Sequence, residues 1–135
     1  MAGADIELCE YLEDEGVFTV GATNGTGIFA GEAPAGVVNA AALTLYPGGV
    51  PEHSLGQVGA TLEMPRLQLR VRNTDEATAI TKAQNAAAAF SKVANQSIEG
   101  TRYRSVTVLQ APGLLYRDAN NRGNYGFNIA VEREV

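Results

Sequence analysis

Residues 1–65 of this chain contain no lysine and no arginine, and the whole of it holds one cysteine, one histidine and no tryptophan. Each scarcity removes a class of protein. A lone Cys9 excludes an internal disulfide and reads as a buried reduced thiol packed as a small hydrophobe. One cysteine and one histidine cannot furnish a zinc site, and no EF-hand spacing of Asp, Asn and Glu occurs, so neither a metal nor a cofactor is expected. A Ser/His/Asp triad could be built only around His53, which lies between Glu52 and Ser54 in a Gly/Pro-rich segment. Sequence neighbours in a loop rarely converge on one substrate atom, so the reading is not an enzyme. No window approaches the ~20 apolar residues of a membrane span. The N-terminus, MAGADIELCEYLEDEG, lacks the basic leader and apolar run of a signal peptide. The sequons at Asn24 and Asn95 are discounted with it, and the expected location is the cytoplasm or a particle assembled there.

What is present is a segregation of charge. The net charge of −5 is made of −9 over residues 1–65 and +4 over residues 66–135, where all ten bases lie. Two arrangements fit. The halves fold against each other and neutralise, or the protomer has an acidic side and a basic side, a shape suited to head-to-tail association. An acidic total argues against sequence-independent DNA binding, which needs a clustered basic surface. With 135 residues the chain is expected to be one domain, long enough to bury a core without staples.

Periodicity gives the elements. Ile6, Cys9 and Leu12, with Leu8, mark a short helix over Asp5–Glu15, stopped by Gly16 in a left-handed cap. Its late acids Glu13, Asp14 and Glu15 oppose the helix dipole. Short strands are expected at Val17–Val20 and Gly27–Ala30, and a longer one over Val37–Tyr46. Residues 47–61 lack periodicity and read as a loop. Arg66–Arg72 alternates cleanly, with Leu67, Leu69 and Val71 on one face and Arg66, Gln68, Arg70 and Arg72 on the other. Asn73 or Thr74 then caps a long helix running to about Ser97, with Ala79, Ala83, Ala86, Phe90 and Val93 along one face. Thr101–Gln110 is strand-like, with Val106 and Val108 on one face and Tyr103 on the other. A hairpin follows, Leu114–Asp118 with Asn124–Val131, in which Tyr125, Phe127, Ile129 and Val131 alternate with smaller residues. The fold class is α+β: a single mixed, largely antiparallel sheet with a long helix and a short N-terminal helix packed on it.

Two motif-like stretches are weak. GATNGTG, residues 21–27, lacks the GK[ST] ending of a phosphate loop and precedes an apolar strand, so it reads as a turn. Arg102-Tyr103-Arg104 interleaves charge with an aromatic as an RNA-binding strand does, but an arginine strand serves protein contacts equally well.

Four stretches in order, an acidic N-terminal helix followed by TGIFAGEAP, then LTLYPGGVPE, then PRLQLRVRNTDEATA, then LLYRDANNRGNYGFNIAVE, resemble the tail-terminator (minor capsid) proteins of long-tailed phages. The likeness covers most of residues 4–133, and residues 50–63 match nothing in it. It implies a non-catalytic virion protein that assembles as a sixfold ring, caps the tail tube and joins it to the head through the neck proteins. DNA would then be passing cargo, with no membrane involved. From the residues themselves, Glu10, Glu13 and Asp14 of one subunit are expected to face Arg66, Arg70, Arg72, Arg102 or Arg104 of the next. Alternatives are another neck or tail-tube component and, from a different class, a nucleic-acid-binding module using the arginine strand.

Overall fold

A computed structural model describes residues 3–46 and 62–134. The expected loop 47–61, with His53, lies outside the described residues. Helix α1 (Ala4–Asp14) ends as its sequence dictates: Gly16 has φ +76°, its N–H donates to Glu13 O at 2.9 Å, and the Val17 N–H donates to Leu12 O at 3.0 Å. That pair of bonds is a Schellman motif, which satisfies carbonyls the helix end would otherwise orphan. The buried face is Ala4, Glu7, Leu8, Cys9, Tyr11 and Leu12. Ile6, expected on that face, is instead 51 % exposed, because the stripe centres on Leu8 and Leu12 and leaves position 6 on its far side.

The strands are β1 (Thr19–Val20), β2 (Gly27–Ala30), β3 (Ala40–Tyr46), β4 (Leu62–Glu63) and β5 (Arg66–Arg72). After helix α2 (Glu76–Ser91) come β6 (Ala94–Ile98), β7 (Thr101–Val108), β8 (Gly113–Arg117) and β9 (Gly123–Glu134). The sheet order is β1-β2-β3-β5-β9-β7-β6, with β4 and β8 also pairing β9. The β1–β2 and β2–β3 pairs are parallel and the rest antiparallel, so the sheet is mixed and largely antiparallel. The last strand therefore enters the middle of the sheet, between β5 and β7.

Helix α2 begins at Asp75 rather than Asn73 or Thr74. The Asp75 carboxylate accepts from the Ala77 N–H and the Thr78 hydroxyl, while Asn73 accepts from the Asp75 N–H one step earlier. The helix also stops at Ser91, not near Ser97. Its apolar face is complete at Phe90, and Ala94–Ile98 leaves as an edge strand through Asn95 at φ +48°. A two-residue turn, Glu99 at φ +50° and Gly100 at φ +79°, returns the chain into β7, as type I′ hairpins require. On β7 the register shifts between Tyr103 and Ser105, which turns Tyr103 into the core beside Val106, against the expected alternation.

Both helices pack on one face of the sheet. Helix α2 lies over β5, β7 and β9, whereas α1 touches β1, β2 and β3 near one edge and β6 at the other, so the sheet curls around the helices. The Phe90 ring is the hub, stacked on Tyr11 at 6.2 Å and edge-on to Phe127 at 6.1 Å. The strand phases expected from sequence hold here: Leu67, Leu69, Val71, Tyr125, Phe127, Ile129 and Val131 are all buried. Phe90→Ala leaves a cavity between two helices and the central strand, and should lower unfolding free energy by about 3–5 kcal/mol in urea titrations.

Candidate functional surface

One cluster of charge sits inside the protein. Glu7 of α1 is 1 % exposed and Arg133 of β9 is 6 % exposed. The Glu7 carboxylate accepts from Thr101 Oγ1 at 2.6 Å, Tyr103 OH at 2.8 Å and Arg133 Nη1 at 2.8 Å. Arg133 also donates through Nε and Nη2 to Glu63 Oε2, both at 2.6 Å. Burial alone would lower the Arg133 pKa, but hydrogen bonds with Glu63 and Tyr103 outweigh it and leave the guanidinium more basic than usual. Burial first, then the bond to Glu7, raises Tyr103 and keeps its hydroxyl protonated as a donor. Every polar group in the cluster is spent on another, which makes it a structural clasp. A signal for it lay in the sequence: position 133 continues the inward phase of Tyr125, Phe127, Ile129 and Val131.

The expected arginines lie on the sheet face turned away from the helices. Arg66 and Arg102 are exposed and, among the described residues, have no carboxylate within salt-bridge distance. Arg104 approaches Glu134 at 3.7 Å. Arg70 and Arg72 are half-buried and engaged within the fold. Arg70 donates to Tyr116 OH and Thr44 Oγ1, both at 3.0 Å. Arg72 donates to the carbonyls of Pro34, Val37 and Val38, strapping the β2–β3 connection across this face. The acids are on the helix layer instead. Glu10 is partly exposed and Asp14 exposed, and Glu13 accepts from the Val20 N–H at 2.7 Å, tying β1 to α1. Desolvation, then Glu13, Glu99 and Asp14, raises the Glu10 pKa, the mark of acids crowded together. The charge segregation is thus partly neutralised within the fold, at the buried Glu7–Arg133–Glu63 cluster and at an exposed Glu15–Lys92 pair at 3.8 Å, and partly displayed on separate surfaces.

Where the β2–β3 connection meets the β8–β9 hairpin tip, a groove of about 220 Å³ opens on the arginine face. Arg70, Arg72, Tyr116, Asp118, Arg122 and Glu32 line it. Sequence reasoning had singled out neither Tyr116 nor Arg122, because the groove exists only once the crossover folds over the sheet. Among the described residues no group of three or more His, Cys, Asp and Glu could hold a metal ion, and no helix is long and apolar enough to cross a membrane.

Two tests follow from the buried groups. Arg133→Ala leaves the Glu7 carboxylate buried without its cation and should cost about 3–5 kcal/mol of stability in denaturant titrations. Burial, then Asp5 and Glu10, pushes the Cys9 thiol from 9.0 up to about 12, and burial, then Glu15, pushes Tyr11 from 10.0 up to about 12. Both pKa values are raised by folding, so their contribution is whole below pH 9 and is lost as pH climbs toward 12. Melting temperature should fall across that window, and less steeply in Cys9→Ala.

No curated protein matches this chain. The family model described as bacteriophage tail terminator protein matches residues 11–135, from the middle of α1 through the last strand. With that span covered, the chain belongs to the bacteriophage tail terminator protein family.

Proposed function

We propose that this protein, as a single domain over residues 1–135, assembles into a ring that caps the phage tail tube at its finished length and joins the tail to the head. The ring is taken as sixfold, its neighbours are the tail-tube protein and a head-completion or neck protein, and DNA passes through as cargo. It is built in the host cytoplasm and retained in the virion, and it catalyses nothing. The observation that carries the assembly reading is the displayed charge. Arg66 and Arg102 of the outer sheet face lack carboxylate partners among the described residues, while Glu10 and Asp14 lie close together on α1. In a ring each basic face meets the acidic helix of the next subunit, a heterologous contact that closes on itself. The contributing side chains are drawn from Glu10, Glu13 and Asp14 on one side and Arg66, Arg70, Arg72, Arg102 and Arg104 on the other.

Electron microscopy of particles produced without this gene tests the reading. Filled heads lying apart from tails of abnormal length are expected. Normal infectious particles would refute it, and heads with no tails at all would make the chain a tube component instead.

A further inference from the structure

The groove is a built site. Arg70 and Arg72 rise from neighbouring outward positions of β5, over a floor of Ala40 and Ala42, the residues paired with them on β3. Those alanines are buried although they face away from the helices, because the 31–39 crossover covers them. Arg122 enters from the hairpin tip, held by Asp118 at 2.8 Å. The Asp118 carboxylate is itself consumed by the Asn120 and Arg122 N–H groups and the Arg122 Nε. Among the described residues Arg70 and Arg72 bond only to hydroxyls and carbonyls, and the buried Arg70 Nε–H has no hydrogen-bond partner there. Glu32, the other acid on the rim, is exposed and forms no ion pair among the described residues. Among the described residues that line the groove, three guanidinium groups therefore face two carboxylates, of which Asp118 is already engaged, and the proximity of Arg122, after burial, lowers the Arg72 pKa. The described lining keeps an excess of positive charge.

We infer that this groove is a carboxylate receptor, and that its ligand is an acidic side chain, Glu10 or Asp14, from α1 of a second copy of this chain. The argument for that occupant is complementarity. Ile6, Glu10 and Asp14 recur at four-residue spacing on one face of α1, so the exposed Ile6 places an apolar anchor about one turn from Glu10 and two from Asp14. Tyr116, 42 % exposed at the groove, offers an aromatic surface for it. A planar carboxylate fits a guanidinium fork in two-point contact, which a flat basic surface does not provide. The inference rests on the ring reading and narrows it to one contact.

Side-chain NMR of the full chain tests it. Asp14→Asn removes an acid that opposes the α1 dipole and Glu10→Gln relieves the repulsion from Glu13 and Asp14, and neither side chain belongs to the buried face of α1, so this variant keeps its fold. Isotope-labelled E10Q/D14N protein is titrated with unlabelled wild-type chain, then separately with unlabelled E10Q/D14N chain. The arginine N–H resonances of Arg70 and Arg122 should shift saturably with the wild-type titrant only. Glutarate, as a probe dicarboxylate, should move the same resonances, and Arg122→Gln should weaken it roughly tenfold. Equal shifts with both titrants, or none with wild type, overturn the assignment. A duplex oligonucleotide moving these resonances at lower concentration than glutarate also overturns it, making the groove a phosphate site. If gene deletion still separates heads from tails while the wild-type titrant moves nothing, the ring reading survives and this contact fails.

Discussion

The Glu7–Arg133 pair joins the first helix to the last strand across a sequence separation of 126 residues, and the architecture hangs on it. Strand β9 is the sheet's centre, yet it is the last to be made, so its insertion between β5 and β7 must be specified by contacts rather than by local order. A buried ion pair adds little net stability over an apolar pair of the same volume, since desolvation offsets most of the attraction. What it adds is discrimination. Tyr103 from β7, Glu63 from β4 and Glu7 from α1, the last also held by Thr101, meet Arg133 only in one register, and a one-residue slip of β9 would turn the guanidinium outward. The slip would leave a carboxylate stranded in the core, a penalty of several kcal/mol against every near-miss pairing.

The clasp also explains why α1 can be so acidic. Glu7 is compensated inside, Glu13 is also the acceptor for β1, and Glu15 approaches Lys92, so the repulsion that remains centres on Glu10, which faces Glu13 and Asp14. Gly16 closes the helix with a Schellman motif, and backbone N–H groups thereby satisfy the Tyr11, Leu12 and Glu13 carbonyls without a basic side chain. The outer sheet face is governed by the reverse logic. Arg72 spends its donors on three carbonyls of the β2–β3 crossover, a connection short for parallel strands and without a helix, and that strap forms one wall of the groove.

Much of this was legible in the residues. Where one face is apolar and the other polar, as in Arg66–Arg72 and Tyr125–Val131, period two fixed both the strand and its inward side. The N-terminal helix, its glycine stop and the final hairpin were equally plain. What escaped reading shares a cause, the dependence of one element on another distant in sequence. Ala94–Ile98 has the composition of a helix end, and becomes a strand because β7 offers it an edge. Tyr103 turns inward because a register shift lets its hydroxyl reach Glu7. Asp75 outcompetes Asn73 and Thr74 as the cap because Asn73 is already committed to the Asp75 N–H, and the Thr74 N–H is held by Asn39. Of the arginines marked as contact residues, sequence could not separate Arg72, which straps a loop, from Arg66, which has no described carboxylate partner.

That separation bears on how such a protein can associate without aggregating. Exposed ion pairs are worth about 0–1 kcal/mol each and weaken with salt, so a handful of arginines facing a handful of acids cannot hold a ring alone. They can orient an encounter and reject wrong partners, leaving buried apolar area to supply the affinity. Among the described residues the exposed large apolar side chains are Ile6 on α1, Val20 on β1, Val38 on the crossover, Leu45 on β3, Leu109 after β7, and Leu114 and Tyr116 on β8. They come from six different segments of the chain. In the proposed ring, contact between copies would therefore gain area only when several of these meet at once, in the orientation that the charges select.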